Sequence, residues 1–294
     1  MRISTSYQFD SVSKRIQEAQ QRYLDAQQRV MTGKRVVTVS DDPFGSSVIL
    51  NARRMQSQVE QFGTNLRSAK DYLGTSEQAF EQINTLTQRA YELTVSAANS
   101  TTSPDARANM AREISSIQER LIQLGNSQGI AQQYVFAGQS STTPPFTLSG
   151  TTLNFQGDAN DVRVEVGPSE LMKVNSTVGS MITTLYQRLQ ETKVRMESGD
   201  LSSLSNISLQ DLKNSQDALR LERGQTGIQL QRIQALEAHH ARQKEDLTKR
   251  ISDVEDVDMG EAIMQLKLNE TVYQAALQVG AMNDRLSLLD YIRG

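Results

Sequence analysis

Small and apolar residues recur at alternating spacings of four and three residues over most of this 294-residue chain. Such spacing places one apolar seam along a helix and is typical of helices that pack side by side. The longest segment of this kind runs from about residue 46 to residue 98, which at ~1.5 Å per residue spans roughly 80 Å. The pattern predicts long packed helices rather than a small globule.

Both ends of the chain carry this pattern. The N-terminal seam contains Val12, Ile16, Tyr23 and Val30. The C-terminal seam contains Leu268, Val272, Val279, Met282, Leu286 and Leu289. Before it lies a seven-residue repeat of mainly apolar positions: Leu212, Leu219, Thr226, Ile233, His240, Leu247 and Val254. Polar residues and two glycines interrupt this repeat, so we expect a bundle with the second helix rather than an independent coiled coil.

Residues 134–179 have a different character, rich in Gly, Ser, Thr and Pro. Short alternating runs at 146–148, 152–155, 162–166 and 171–174 predict antiparallel strands. The predicted fold is mainly α, with a long antiparallel helical bundle or coiled-coil stem formed by both chain ends and a small β-rich insertion at the tip.

Three parts follow from this topology. Residues 1–45 and 255–294 are expected to form a terminal coiled-coil core that is disordered in the monomer. Residues 46–133 and 180–254 are expected to form the helical stem, and residues 134–179 the β insertion.

Composition excludes several kinds of partner. The net charge is −3, and the 31 basic residues are dispersed among 34 acidic ones, so no basic face for nucleic acid is predicted. No apolar run approaches the ~20 residues needed to cross a bilayer, and the first residues do not resemble a secretory signal peptide. Cysteine is absent, which removes disulfides and thiolate sites.

Catalytic and metal-binding motifs are not indicated. His239 and His240 are adjacent and would point about 100° apart on a helix. We expect one on the solvated surface and the other in the seam. The acidic residues between 253 and 258 do not fit a calcium loop, and we expect them to open the last helix. We therefore expect no catalytic residue, cofactor or metal.

The terminal seams are the candidate functional surface. Few other segments are available to cover these two helices, so their expected partners are each other and neighbouring subunits. Burial wholly within one monomer is the alternative.

Two sequence signatures resemble bacterial flagellins. Residues 30–35 read VMTGKR and residues 40–45 read SDDPFG, similar to the flagellin turn and helix start except at Thr32 and Phe44. Residues 251–262 and 286–289 resemble the flagellin C-terminal region. The segments MRIST at 1–5, YVFAG at 134–138 and LLDY at 288–291 favour the flagellin-like subunits that join hook to filament.

The resemblance implies a structural subunit exported unfolded through the flagellar type III channel to the extracellular flagellum. It implies assembly through the terminal helices into a ring, between a hook-side junction protein and flagellin. It also implies an export chaperone, which we expect to contact Val279, Met282, Leu286 and Leu289. The alternatives are a filament flagellin or, in a different class, a cytoplasmic coiled-coil adaptor.

Overall fold

The computed structural model describes residues 2–129 and 132–293, with side chains described for residues 7, 10–129 and 132–282. The elements follow in the order α1 (Arg2–Thr32), α2 (Pro43–Ala98), α3 (Pro104–Gly125), β1 (Phe146–Ser149), β2 (Thr152–Phe155), β3 (Arg163–Gly167), β4 (Glu170–Lys173), α4 (Gly179–Ser198), α5 (Leu201–Ser203), a π-helical turn (Leu204–Ser208), α6 (Leu209–Glu255) and α7 (Met259–Arg293). The predicted fold class, long helices from both ends with a small strand region between them, is confirmed.

The chain forms two compact units, Met1–Gln58 with Gln243–Gly294, and Val59–Arg242. The first unit contains α1, α7 and one end each of α2 and α6. The second contains everything between, including all four strands. The three-part division drawn from the sequence stays a prediction.

Local chemistry sets the helix ends. Pro43 is the first residue of α2, and Asp42 accepts a hydrogen bond from the Gly45 amide at 2.8 Å. The start of α3 is capped by Ser103, whose hydroxyl accepts from the Ala106 amide at 3.2 Å. Helix α4 ends at Ser198 and is capped by Gly199, whose φ of 73° suits glycine.

The β region consists of two separate antiparallel hairpins rather than one sheet. In the first, Phe146 pairs with Phe155, and their rings lie 5.2 Å apart between centroids. In the second, Arg163 pairs with Lys173 and the register shifts between Glu165 and Gly167. Each hairpin is too small to fold alone, and each buries its apolar side against helices of the same unit.

The second unit has its main core between α2, α3, α4 and α6, joined by the first hairpin. Phe80 and Phe136 are buried there with ring centroids 5.2 Å apart. The apolar seam of α2 is buried from Val59 to Ala97, whereas Met55, four residues before Val59, is exposed.

The seven-residue repeat of α6 also faces inward. Its members from Leu212 to Leu247 are buried, and Val254 is half-buried. His240 belongs to this seam, and its Nε2 donates to the Val166 carbonyl at 2.7 Å. Phe62 packs beside its ring at 5.8 Å, while His239 is exposed. The expected contrast between the two histidines is therefore confirmed.

Candidate assembly interface

Helices α1 and α7 pack against each other within the first unit. Tyr23 stacks on Tyr273 with ring centroids 5.9 Å apart and planes inclined by 10°. Nearer the C-terminus, Gly280 lies directly under Ile16, because a Cβ atom at Gly280 would come within 2.8 Å of the Ile16 Cδ1 atom. These contacts bring the two ends of the chain together.

The predicted residues of α1 lie along this contact. Val12, Ile16, Tyr23 and Val30 are half-buried, and the alanines at positions 19 and 26 between them are buried. Small alanine side chains allow the two helices to approach closely, which is why the seam of α1 is narrow.

Helix α7 carries two parallel stripes, each with the four-three spacing. The stripe that faces α1 contains the half-buried Leu266, Asn269, Tyr273, Ala276 and Gly280. The stripe that the sequence marks as most apolar is exposed in the monomer. We call it the outward stripe, and its described members are Met264, Leu268, Val272, Val279 and Met282. The side chains of Leu286 and Leu289, which complete the predicted seam, lie outside the described residues.

The outward stripe is apolar over an unusual length for a solvent-facing surface. Val279 is 57% exposed and Met282 is 65% exposed. No charged residue occurs between Thr271 and Met282. A helix that is apolar on both faces is normally enclosed by other protein, so this stripe is incomplete in a single copy.

A charged cluster around Glu255 fixes the ends of the neighbouring helices in the same unit. Arg53 donates to both carboxylate oxygens of Glu255, at 2.8 and 2.7 Å, and the Lys34 Nζ atom lies 2.5 Å from Oε1. The backbone continues the link, because the Arg35 amide donates to the Glu255 carbonyl at 2.7 Å and the Val257 amide donates to the Gly33 carbonyl at 3.0 Å.

The electrostatics of Glu255 follow from these contacts. Burial acts to raise the pKa of its carboxyl, but the hydrogen bonds from Lys34 and Arg53 outweigh burial and hold the pKa below its usual range. Asp42 has a lowered pKa because it accepts hydrogen bonds from the Gly45 amide and the Arg35 guanidinium.

The expectation that the acidic residues between 253 and 258 open the last helix is wrong for most of them. Of the acidic residues near 255, only Asp258 opens α7, where its carboxylate accepts from the Gly260 amide at 2.8 Å. Asp253 and Glu255 lie in the last turn of α6, and Asp256 accepts a hydrogen bond from the Ser252 hydroxyl. Charge alone suggested a helix start, whereas the long-range partners of Glu255 explain its position.

Among the described residues, no group of three or more histidine or acidic side chains is placed to bind a metal ion. Within the same limits, no helix is both long and apolar enough to span a membrane.

Paired terminal helices with an exposed apolar stripe define the class of helical structural subunits that assemble from many copies. The family models agree with this class. The bacterial flagellin N-terminal helical region matches residues 3–141, and the bacterial flagellin C-terminal helical region matches residues 209–292. The chain belongs to the bacterial flagellin family, and it is a structural protein of bacterial motility rather than an enzyme.

Individual relatives extend this result to the whole chain. Flagellar hook-associated protein 3 of Escherichia coli is 26% identical over 98% of both chains. The protein of the same name from Salmonella typhimurium is 24% identical over 100% of both chains. The solved structure of a flagellar hook-associated protein from Vibrio parahaemolyticus has the same fold, with a TM-score of 0.68 at 18% identity, over 74% of this chain and 100% of that one.

Proposed function

We propose that this chain is the structural subunit that joins the hook of the bacterial flagellum to the filament. The observation that carries the proposal is the full-length match to two hook-associated proteins, combined with the exposed apolar stripe of α7. The match accounts for the position in the flagellum, and the stripe supplies a surface for attachment to neighbouring subunits.

In this proposal, copies of the chain form a ring between a hook-side junction protein and flagellin. The α1–α7 pair of each copy enters the inner layer of the axial structure, where neighbouring helices cover Leu268, Val272, Val279 and Met282. The α1 residues Val12, Ile16, Tyr23 and Val30 hold α7 in place. The β hairpins face outward and take no part in the inner contact.

The route to the flagellum is part of the proposal. A chain with no cysteine forms no disulfide that would block export in an unfolded state. Before export, a chaperone would cover the outward stripe. Among the described residues, Val279 and Met282 are the positions that we expect it to contact. Serine at both positions should abolish co-purification with the chaperone, whereas serine at the exposed Leu171 should leave it intact. Equal co-purification of both variants would contradict this assignment.

Deletion of the gene tests the junction function. We expect cells that carry hooks without filaments, with flagellin accumulating in the medium, and recovery when the gene is restored. Filaments of normal length in the deletion strain would overturn the proposal.

Filament flagellin is the nearer alternative, and localisation separates the two. Immunogold labelling of the protein should mark one position where hook and filament meet. Labelling along the whole filament, or growth of the purified protein into long filaments on seeds, would favour flagellin.

A cytoplasmic coiled-coil adaptor is the alternative from another class. We expect trypsin to remove segments near 1–45 and 255–294 from the purified monomer quickly, since the outward stripe of α7 lacks its partners there. Resistant termini, together with retention of the protein in the cell, would favour the adaptor.

A further inference from the structure

The second unit contains two apolar cores rather than one. The larger core includes α2 from Ala79 onward and α6 up to Leu219, together with α3, α4 and the first hairpin. The smaller core includes α2 up to Leu73 and α6 around Ile233, covered by the second hairpin. Both long helices therefore pass from one core to the other, α2 between residues 73 and 79 and α6 between residues 219 and 233.

Polar residues occupy the helix pair between the two cores. Ser76 and Thr226 are buried, and each hydroxyl donates to a carbonyl of its own helix at 3.0 Å. Beside them, Arg223 donates twice to the Oε1 atom of Glu77, at 3.0 and 2.6 Å. Because polar groups replace apolar contacts at this level, the helices are held together less strongly here than within either core.

Three glycines lie at the same level of the helix pair. Gly74 belongs to α2, and Gly224 and Gly227 belong to α6. Among the described residues, no packed neighbour lies within 4 Å of the place where a Cβ atom would stand at any of the three. Close packing therefore does not require glycine at these positions. Glycine inside a helix weakens it, because the backbone loses more conformational freedom than that of alanine.

A small cavity adjoins these residues. It has a volume of about 90 Å³, and its lining includes Leu73, Glu222, Thr226 and Gln229. In the described part of the chain, the Oε1 atom of Gln229 and the Oε2 atom of Glu77 are buried without a hydrogen-bond partner. Unpaired buried oxygens destabilise the closed arrangement, so opening that lets water reach them is easier here than in the apolar cores.

We propose that α2 and α6 open and bend at this level, so that the two cores of the second unit move relative to each other. We call residues 74–77 and 223–229 the waist. Local opening occurs where few apolar contacts support the backbone hydrogen bonds, and bending there leaves the packing of each core intact. Bending is a property of the purified chain, so it can be measured whether or not the chain joins hook to filament.

Hydrogen exchange of the purified protein measures opening of the waist. We expect the amides at 74–81 and 223–231 to exchange about tenfold faster or more, after correction for intrinsic rates, than those at 83–97 and 233–240 of the same helices. Uniform protection along both helices would overturn the proposal.

The triple variant G74A/G224A/G227A tests the role of the glycines, since alanine meets open space at each position. Exchange at the waist should slow about tenfold or more, while exchange in both cores changes little. G63A is the matched control, because Gly63 also meets open space in α2 but lies next to Phe62, which packs on His240. G63A should leave exchange at the waist unchanged. Equal slowing at every amide of the triple variant would show that the unit opens only as a whole.

Distances between two spin labels measure the bending itself. The natural sequence has no cysteine, so L171C/V194C carries one label on each side of the waist, both at exposed positions. Double electron–electron resonance should give a broad distance distribution that narrows when the three alanines are added. V95C/V194C places both labels on helices of the larger core, and its distribution should be narrow in both backgrounds. Equal widths for the two pairs would contradict bending at the waist.

Discussion

Arg53 donates two hydrogen bonds to the Glu255 carboxylate, at 2.8 and 2.7 Å, across 202 positions of the sequence. Lys34 approaches the same carboxylate, so a single acid holds the start of α2 and the α1–α2 loop against the end of α6. Because Glu255 is buried and both cations are about half exposed, the acid is the critical member of the cluster.

Glu255→Gln should destabilise the contact of the α1–α2 loop and the start of α2 with the end of α6. The substitution removes the negative charge between Lys34 and Arg53, at an expected cost of about 1–2 kcal/mol once solvent screening of the two cations is considered. Hydrogen exchange at the Arg35 amide, which donates to the Glu255 carbonyl, should become faster by about tenfold or more. Asp253→Asn, on the exposed side of the same turn, is the control, and equal exchange in both variants would contradict the assignment.

The charged cluster around Glu255 also predicts that the local stability of the first unit depends on pH. The pKa of Glu255 is lowered in the folded protein, so its contribution is fully present above the ordinary value of 4.5 and is lost as pH falls through the lowered pKa. Hydrogen exchange at the Arg35 amide, corrected for intrinsic rates, should therefore report falling stability below about pH 4.5.

The Glu255→Gln variant separates the pH dependence due to Glu255 from that due to other acidic residues. Asp41 and Asp42 also have lowered pKa values in the nearby loop, and they retain their own pH dependence in this variant. The difference between wild type and variant isolates the part due to Glu255. If both proteins lose protection in parallel, Glu255 does not carry the effect.

Gly125, the last residue of α3, should resist substitution. A Cβ atom there would lie 2.7 Å from a ring carbon of Phe146, which is itself buried against Phe155. Gly125→Ala should lower the free energy of unfolding by about 1–3 kcal/mol, because the packed ring cannot move away. Gly74→Ala is the matched control, since it meets open space inside α2 and should stabilise the protein by up to about 1 kcal/mol. Denaturant unfolding measures both, and a neutral Gly125→Ala would contradict this packing.

His240 and His239 form a natural pair for comparison. His240→Ala removes the hydrogen bond to the Val166 carbonyl and the packing against Phe62, so it should destabilise the second unit by about 2–3 kcal/mol. His239→Ala changes an exposed side chain and should stay within about 0.5 kcal/mol of wild type. Equal effects on the thermal midpoint would show that the buried histidine is not a packing residue.

The periodicity of apolar residues predicted the helices well, because apolar residues recur at helical spacing where one face of a helix is buried. The inward repeat of α6, including Thr226 and His240, is buried as the seven-residue pattern indicated. The helix boundaries at Ser103 and Gly199 also follow from local residue chemistry.

The spacing could not tell which face of α7 meets α1, since both faces carry it. The face with Gly280 lies inward because glycine allows close approach to Ile16, although the opposite face is more apolar. The local sequence also could not predict the role of Glu255, because its partners Lys34 and Arg53 are distant in the sequence.

The outward stripe of α7 yields the most direct prediction about assembly. Val279→Asp places a charge on the solvent-facing outward stripe, within a segment that contains no charged residue. The monomer should keep its helix content, because Val279 does not pack against α1. Burial of an unpaired carboxylate against neighbouring subunits is costly, so incorporation into isolated flagella should fall about tenfold or more. Quantitative immunoblots of flagellar fractions measure this, with Leu171→Asp as the exposed control on β4. Equal incorporation of the two variants would show that the stripe stays exposed to solvent in the assembled structure.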